Sequence, residues 1–200
     1  MIGIINYGLG NINAIKNIYQ EFDIKVVEIS NEDQFISDIK KIILPGVGSF
    51  DNAVKNLKQQ NLINKLKEFS NDKNNYLLGI CVGMQILGYS SEEGSEKGLG
   101  LIPGKIIRFN KEYITPNMGW QSIQIKSNDL IFKNIDNHSK FYFLHSYYFQ
   151  ANTNKNILST SKYFHEFPSA VVNKNIYGIQ FHPEKSHEEG KKILINFYRL

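Results

Sequence analysis

Only Cys81 in this 200-residue sequence can act as a thiol nucleophile, and its neighbours are the kind a nucleophile needs. It stands in Gly79-Ile80-Cys81-Val82-Gly83, directly after the apolar run Tyr76-Leu77-Leu78. A lone cysteine is by default a small buried apolar residue, so the flanking residues must carry the chemical argument. A side chain between two glycines, after a buried strand and before a helix, has the form of a nucleophile elbow. The chain must turn sharply to expose that side chain, and bulky neighbours would crowd the turn. The following helix points its first N–H groups at the same place, favouring a thiolate and a developing oxyanion. The bland alternative is a cysteine at an ordinary strand-to-helix turn.

A cysteine nucleophile also needs a proton acceptor, held in turn by a third group. The histidines are His138, His145, His165, His182 and His187. His182-Pro183-Glu184 stands out because it follows the apolar strand Ile176 to Phe181, so the imidazole emerges at a strand end. In extended geometry His182 and Glu184 point to the same side, and Pro183 restricts the backbone between them. Glu184 could then fix the tautomer and stabilise an imidazolium. Taken alone, such a triplet is more often a surface ion pair, and spacing does not bring it to Cys81. His145-Ser146-Tyr147-Tyr148 ends another apolar run but has no acidic neighbour, which assigns it to substrate contacts. His138, followed by Ser139-Lys140, reads as a solvated turn, and His165 as surface or half-buried. No histidine–carboxylate cluster has metal-ligand spacing, so no metal and no other cofactor is expected.

Composition narrows the classes. Apolar residues at 42% and charged residues at 21% describe an ordinary globular chain. The net charge of +4 comes from scattered lysines, with arginine only at Arg108 and Arg199. That is poor equipment for reading phosphates or bases, so nucleic acid is not an expected partner. No segment approaches the roughly 18 consecutive apolar residues of a membrane span. Met1 runs straight into Ile2-Gly3-Ile4-Ile5 without a secretory leader pattern, which points to the cytoplasm. One cysteine excludes an internal disulfide and any multi-cysteine zinc site.

The elements that must position these groups alternate in type. Ile2 to Asn6, Lys25 to Ile29, Ile42 to Leu44 and Tyr76 to Ile80 read as short buried strands. Between them, Ile12, Ile15, Ile18, Tyr19 and Phe22 give one apolar helix face, with Asn11 as its cap. Val54, Leu57, Leu62, Leu66 and Phe69 suggest one further helix of imperfect period. This order predicts an α/β fold, a central mostly parallel sheet with helices on both faces. From Leu99 to Gly178 the texture changes to short strands and turns, and a last helix spans part of His187 to Phe197. With no linker and no repeat, residues 1–200 read as a single domain.

The combined motifs resemble class I, triad-type glutamine amidotransferases, whose fold is flavodoxin-like. Within that class they are most similar to the glutaminase subunits of imidazole glycerol phosphate synthases. The match runs through Asn6-Tyr7-Gly8-Leu9-Gly10-Asn11, Leu44-Pro45-Gly46-Val47-Gly48 and Gly79 to Gln85. It continues through Ser91-Glu92-Glu93-Gly94, Gly98-Leu99-Gly100, Met118-Gly119-Trp120, His145-Ser146-Tyr147 and Gln180 to Ser186. The resemblance implies that Cys81 attacks the side-chain amide of L-glutamine, with His182 moving the proton and Glu184 orienting it. It further implies oxyanion donors at Val82 and in the Val47-Gly48 loop. Gln85, Glu93, Ser146 and Tyr147 would surround the glutamine. The ammonia would pass to a (β/α)8-barrel synthase subunit in a heterodimer, with Asn11, Trp120 and Lys185 at the interface.

The sequence departs from that pattern in one segment. Pro116-Asn117-Met118-Gly119-Trp120-Gln121 replaces the usual Pro-His-Met-Gly-Trp-Asn of histidine-pathway subunits. A change near the expected partner contact leaves room for another client, the N-acetyl-sugar amidotransferase of surface-polysaccharide synthesis. A third reading is an idle regulatory or scaffold subunit, against which the intact Cys81, His182 and Glu184 argue.

Overall fold

The computed structural model describes residues 1–200. Strand β1 (Ile2–Ile5) leads to helix α1 (Ile12–Gln20), strand β2 (Val26–Ile29) and strand β3 (Lys41–Leu44). Helices α2 (Phe50–Gln59) and α3 (Leu62–Asn71) and strand β4 (Tyr76–Ile80) follow, then the single-turn helix α4 (Val82–Gln85). The second half is richer in strands: β5 (Gly104–Arg108), β6 (Asn117–Ser122), β7 (Gln124–Ile125), β8 (Lys140–His145) and β9 (Tyr147–Ala151). Strands β10 (Ile157–Tyr163), β11 (His165–Asn173) and β12 (Ile176–Ile179) precede the last helix, α5 (His187–Arg199).

One eight-stranded sheet has the order β2-β1-β3-β4-β12-β11-β10-β7. The first five strands are mutually parallel and the last three antiparallel. The inner parallel strands β1, β3, β4 and β12 are buried along nearly their whole length, which is why they read as continuous apolar runs without alternation, whereas β2 at the edge is half-buried. Right-handed crossovers put α1 on one face and α2 with α3 on the other, because the first crossover runs opposite to the later ones. The last helix joins α1, and Tyr19 Oη donates to the Leu194 carbonyl at 2.9 Å. Two small antiparallel ribbons, β5–β9 and β6–β8, lie outside the main sheet.

The expected cap of α1 is present: Asn11 Oδ1 accepts from the Ala14 N–H at 3.4 Å. Two local expectations are corrected. The expected single helix after Pro45 is a pair, because Asn61 adopts a left-handed φ of 57° that no helix interior accommodates. The strand before His182 stops at Ile179, and Pro183–Lys185 form a single 3-10 turn, not an extended segment. Proline at the first position favours that turn, since its fixed φ suits a helical start.

Candidate active site

Four parallel strands deliver residues to one end of the sheet. Tyr7 follows β1, Pro45-Gly46-Val47-Gly48 follow β3, Cys81 follows β4, and His182 follows β12. In an open α/β sheet the crevice beyond the carboxyl ends of the strands, where strand order reverses, is where ligands bind. The reversal here falls between β1 and β3. Cys81 and His182 come together because β4 and β12 are hydrogen-bonded neighbours, with Ile80 paired to Ile179.

Cys81 sits at φ 54° and ψ −111°, a conformation that L residues rarely adopt. The flanking glycines allow it. A Cβ on Gly83 would lie 1.9 Å from the Leu44 carbonyl oxygen, and one on Gly79 would lie 2.5 Å from the Gly83 carbonyl oxygen. Neither backbone atom can move aside, so both positions require hydrogen. The sulfur lies 3.8 Å from the Leu144 carbonyl oxygen, which a thiol S–H can engage, and 3.7 Å from Gln180 Nε2.

His182 Nδ1 is 2.9 Å from Glu184 Oε1, and both side chains are almost wholly buried. The 3-10 turn brings the carboxylate back under the ring, a different geometry from the extended one expected. Ser186 Oγ donates to the His182 carbonyl at 2.5 Å and accepts from the Tyr142 N–H at 3.0 Å, tying the turn to β8. Burial alone would push the imidazole down, but the charge of Cys81 and the bond to Glu184 outweigh it and raise His182 well above its ordinary value. The other ring nitrogen, Nε2, is buried with no partner in the fold. It is the atom free to exchange a proton with the sulfur.

A cleft of about 230 Å³ opens beside the sulfur, sized for one amino acid. Its walls include Val47, Gly48, Val82, Gln85, Glu93, Ser146 and Tyr147, so every residue expected around the substrate or oxyanion faces one cavity. Glu93 also braces the wall, since its Oε2 accepts from the Phe50 N–H at 2.7 Å, at the start of α2. Asp51 answers from the helix, accepting from the Ser95 and Glu96 N–H groups at 3.1 and 2.9 Å. This exchange locks the loop around Glu93 to the helix that follows the Val47-Gly48 loop. His145 also lines the cleft, but both its nitrogens are occupied within the fold. Nδ1 donates to the Tyr147 carbonyl at 2.8 Å, and Nε2 accepts from Asn117 Nδ2 at 3.0 Å. Burial holds this ring neutral, down to about 4. The expected substrate contact by its imidazole is therefore replaced by a structural one.

Gly48 has φ 109°, with open space where a Cβ would stand, so this loop needs glycine for conformation and not for room. Its base is pinned by Tyr7, whose hydroxyl donates to the Pro45 carbonyl at 2.6 Å. Nothing at Tyr7 in the sequence signalled this; the contact spans 38 residues. Trp120 is not a core residue: it is 45% exposed and stacks on His187 at 5.0 Å and 8°. Tyr142 meets Trp120 edge-on, and Lys185 Nζ lies 5.6 Å from the Tyr142 ring. Asn11 is exposed at the start of α1, which packs against the Pro183–Lys185 turn. The departures at Asn117 and Gln121 do not lie on this surface. Asn117 is fully buried, and its amide pairs with that of Gln121 at 2.6 and 3.2 Å.

Residues 4–200 match the family model described as glutamine amidotransferase class-I. Among curated proteins, the chain is 45% identical to imidazole glycerol phosphate synthase subunit HisH 2 of Methanococcus maripaludis, covering 100% of this chain and 99% of that one. It is 40% identical to subunit HisH of Leptospira borgpetersenii, with both chains covered in full. A solved glutamine amidotransferase superposes with a TM-score of 0.78 at 16% identity, covering 99% of this chain and 97% of the other. PurLQS of Thermotoga maritima gives 0.77 at 18%, with coverage of 99% and 97%. At those identities the structural likeness bears on fold alone.

Proposed function

The chain belongs to the class-I glutamine amidotransferases, and from that premise we propose that it is the glutaminase subunit of an imidazole glycerol phosphate synthase. It hydrolyses L-glutamine to L-glutamate and ammonia for a partner synthase subunit. The observation that carries the chemistry is a buried Glu184–His182 pair whose unpartnered ring nitrogen serves a cysteine at a strained elbow.

In this reading Cys81 Sγ attacks the side-chain amide carbon, and the proton rests on His182. The tetrahedral oxyanion is met by the N–H of Val82, at the first turn of α4, and by N–H groups of the Val47-Gly48 loop. One such donor contributes about 3–4 kcal/mol of transition-state stabilisation. Collapse breaks the C–N bond, and His182 gives its proton to the departing ammonia, leaving a glutamyl thioester on Cys81. Water, deprotonated by the same ring, then releases glutamate and restores the thiol. Gln85, Glu93, Ser146 and Tyr147 form the surrounding wall, and Glu184 keeps the ring oriented throughout.

The ammonia acceptor is a (β/α)8-barrel synthase subunit bound as a heterodimer through the face carrying Asn11, Trp120 and Lys185. Two observations favour this client over the polysaccharide one. The Asn117 and Gln121 departures compensate each other inside the fold, and the solvent-facing Met118 and Trp120 keep the family pattern. The test is to mix the chain with a barrel synthase subunit and follow glutamate release and glutamine-dependent product. Cys81→Ala should abolish both while ammonia-dependent synthesis persists. Absence of complex formation and of stimulated glutamate release would overturn the assignment.

A further inference from the structure

The side chain of Gln180 has no role in the chemistry described so far, yet it is fully buried against the reacting sulfur. Its Nε2 is 3.7 Å from Cys81 Sγ, within reach of a sulfur acceptor, and its Oε1 accepts from Gln85 Nε2 at 3.1 Å. Amide orientation here follows from hydrogen-bond polarity. Gln85 Nε2 also donates to the Tyr147 carbonyl at 3.1 Å, and a carbonyl can only accept. That fixes Gln85 with its nitrogen inward, so Gln180 must present oxygen to Gln85 and nitrogen to the sulfur. The Tyr147 carbonyl is itself held by His145 Nδ1, and His145 Nε2 by Asn117. Hydrogen bonds thus connect Asn117 on β6 to the nucleophile, and they turn at the Tyr147 carbonyl, which accepts from both His145 and Gln85.

We propose that Gln180 is a catalytic donor to the Cys81 thiolate, with Gln85 and His145 as the positioning residues that aim its amide N–H at the sulfur. Its importance for turnover rests on the glutaminase reading; its effect on the sulfur does not. A hydrogen bond to an ionised sulfur stabilises the thiolate and leaves the neutral thiol nearly unaffected, so it raises the reactive fraction at neutral pH. Once the thioester forms, the sulfur carries no charge. The bond therefore acts by raising the fraction of thiolate available for attack, and it weakens as the intermediate appears.

The test is the pH profile of Cys81 alkylation by iodoacetamide in the intact chain, which needs neither glutamine nor partner. Gln180→Met removes the donor at similar volume; Gln180→Glu keeps the acceptor for Gln85 and turns an oxygen toward the sulfur. Alkylation near pH 7 should slow about tenfold in the first variant and more in the second, with the profile moved to higher pH. In the complex, kcat should fall about tenfold or more while KM for glutamine changes less than about threefold. A thermal melt identifies which variant is folded, and Gln180→Glu decides the matter if Gln180→Met is not. An unchanged alkylation profile in a folded variant overturns the proposal, as does a rise in KM at constant kcat. If the wild-type complex hydrolyses no glutamine, the functional reading fails while alkylation still decides the role of Gln180.

Discussion

Glu184 engages only one nitrogen of His182, so its replacement should separate orientation from proton transfer. Glu184→Gln keeps the shape but removes the charge that favours imidazolium, and kcat should fall by on the order of 10² with little change in KM, read from steady-state glutamate release. His145 makes a different prediction, about stability. Its folded value of about 4 lies below the ordinary 6.5, so between these limits the unfolded chain binds a proton that the folded chain refuses. The stabilisation is complete above about pH 6.5 and is lost as pH falls toward 4, a change of about 3 kcal/mol. Denaturant midpoints measured from pH 7 to pH 4.5 should show that loss, and His145→Gln should flatten it. His182 is shifted the other way: its contribution is complete below the ordinary imidazole value and fades as pH rises, so it does not distort the acid window.

At the level of elements, the elbow and the loop beside it use glycine for different reasons. Gly83→Ala would drive a methyl into the Leu44 backbone, so it should lower the melting temperature sharply and abolish activity. Gly48→Ala meets no atom and costs only backbone strain, about 1 kcal/mol. It should leave the melt nearly unchanged yet reduce kcat if, as proposed, this loop's conformation presents N–H groups to the oxyanion. The strand-turn-helix around Cys81 was legible because continuous apolar residues and two glycines are local signals. So were the partners of the cleft, through motif resemblance. What stayed hidden is what a linear pattern does not encode. Asn61 ends a helix by one left-handed residue inside a periodic run. Tyr7, Gln180 and Asn117 act through contacts spanning 28 to 99 residues. His145 looked available for substrate because only the fold shows both its nitrogens already paired.

Across the whole molecule, the exposed Trp120 and Lys185, with the half-buried Tyr142 between them, stand next to the His182 turn, so the partner face proposed above adjoins the proposed base. Trp120→Ala removes a ring that is 45% exposed and should cost about 1 kcal/mol of stability or less. Its larger effect should appear in titration calorimetry with the proposed synthase partner, as a Kd raised about tenfold or more. No helix of the chain is long and apolar enough to cross a membrane.

The pairing of β4 with β12 has a consequence for how the molecule comes into being. Cys81 and His182 follow adjacent strands that are almost 100 residues apart along the chain, and β12 must insert between β4 and β11 before either has its setting. Such distant pairings form late because closing the long intervening loop costs entropy before any contact repays it. A polypeptide still leaving the ribosome therefore holds Cys81 without His182 beside it. On the mechanism proposed above, amide splitting begins only once β12 has docked against β4.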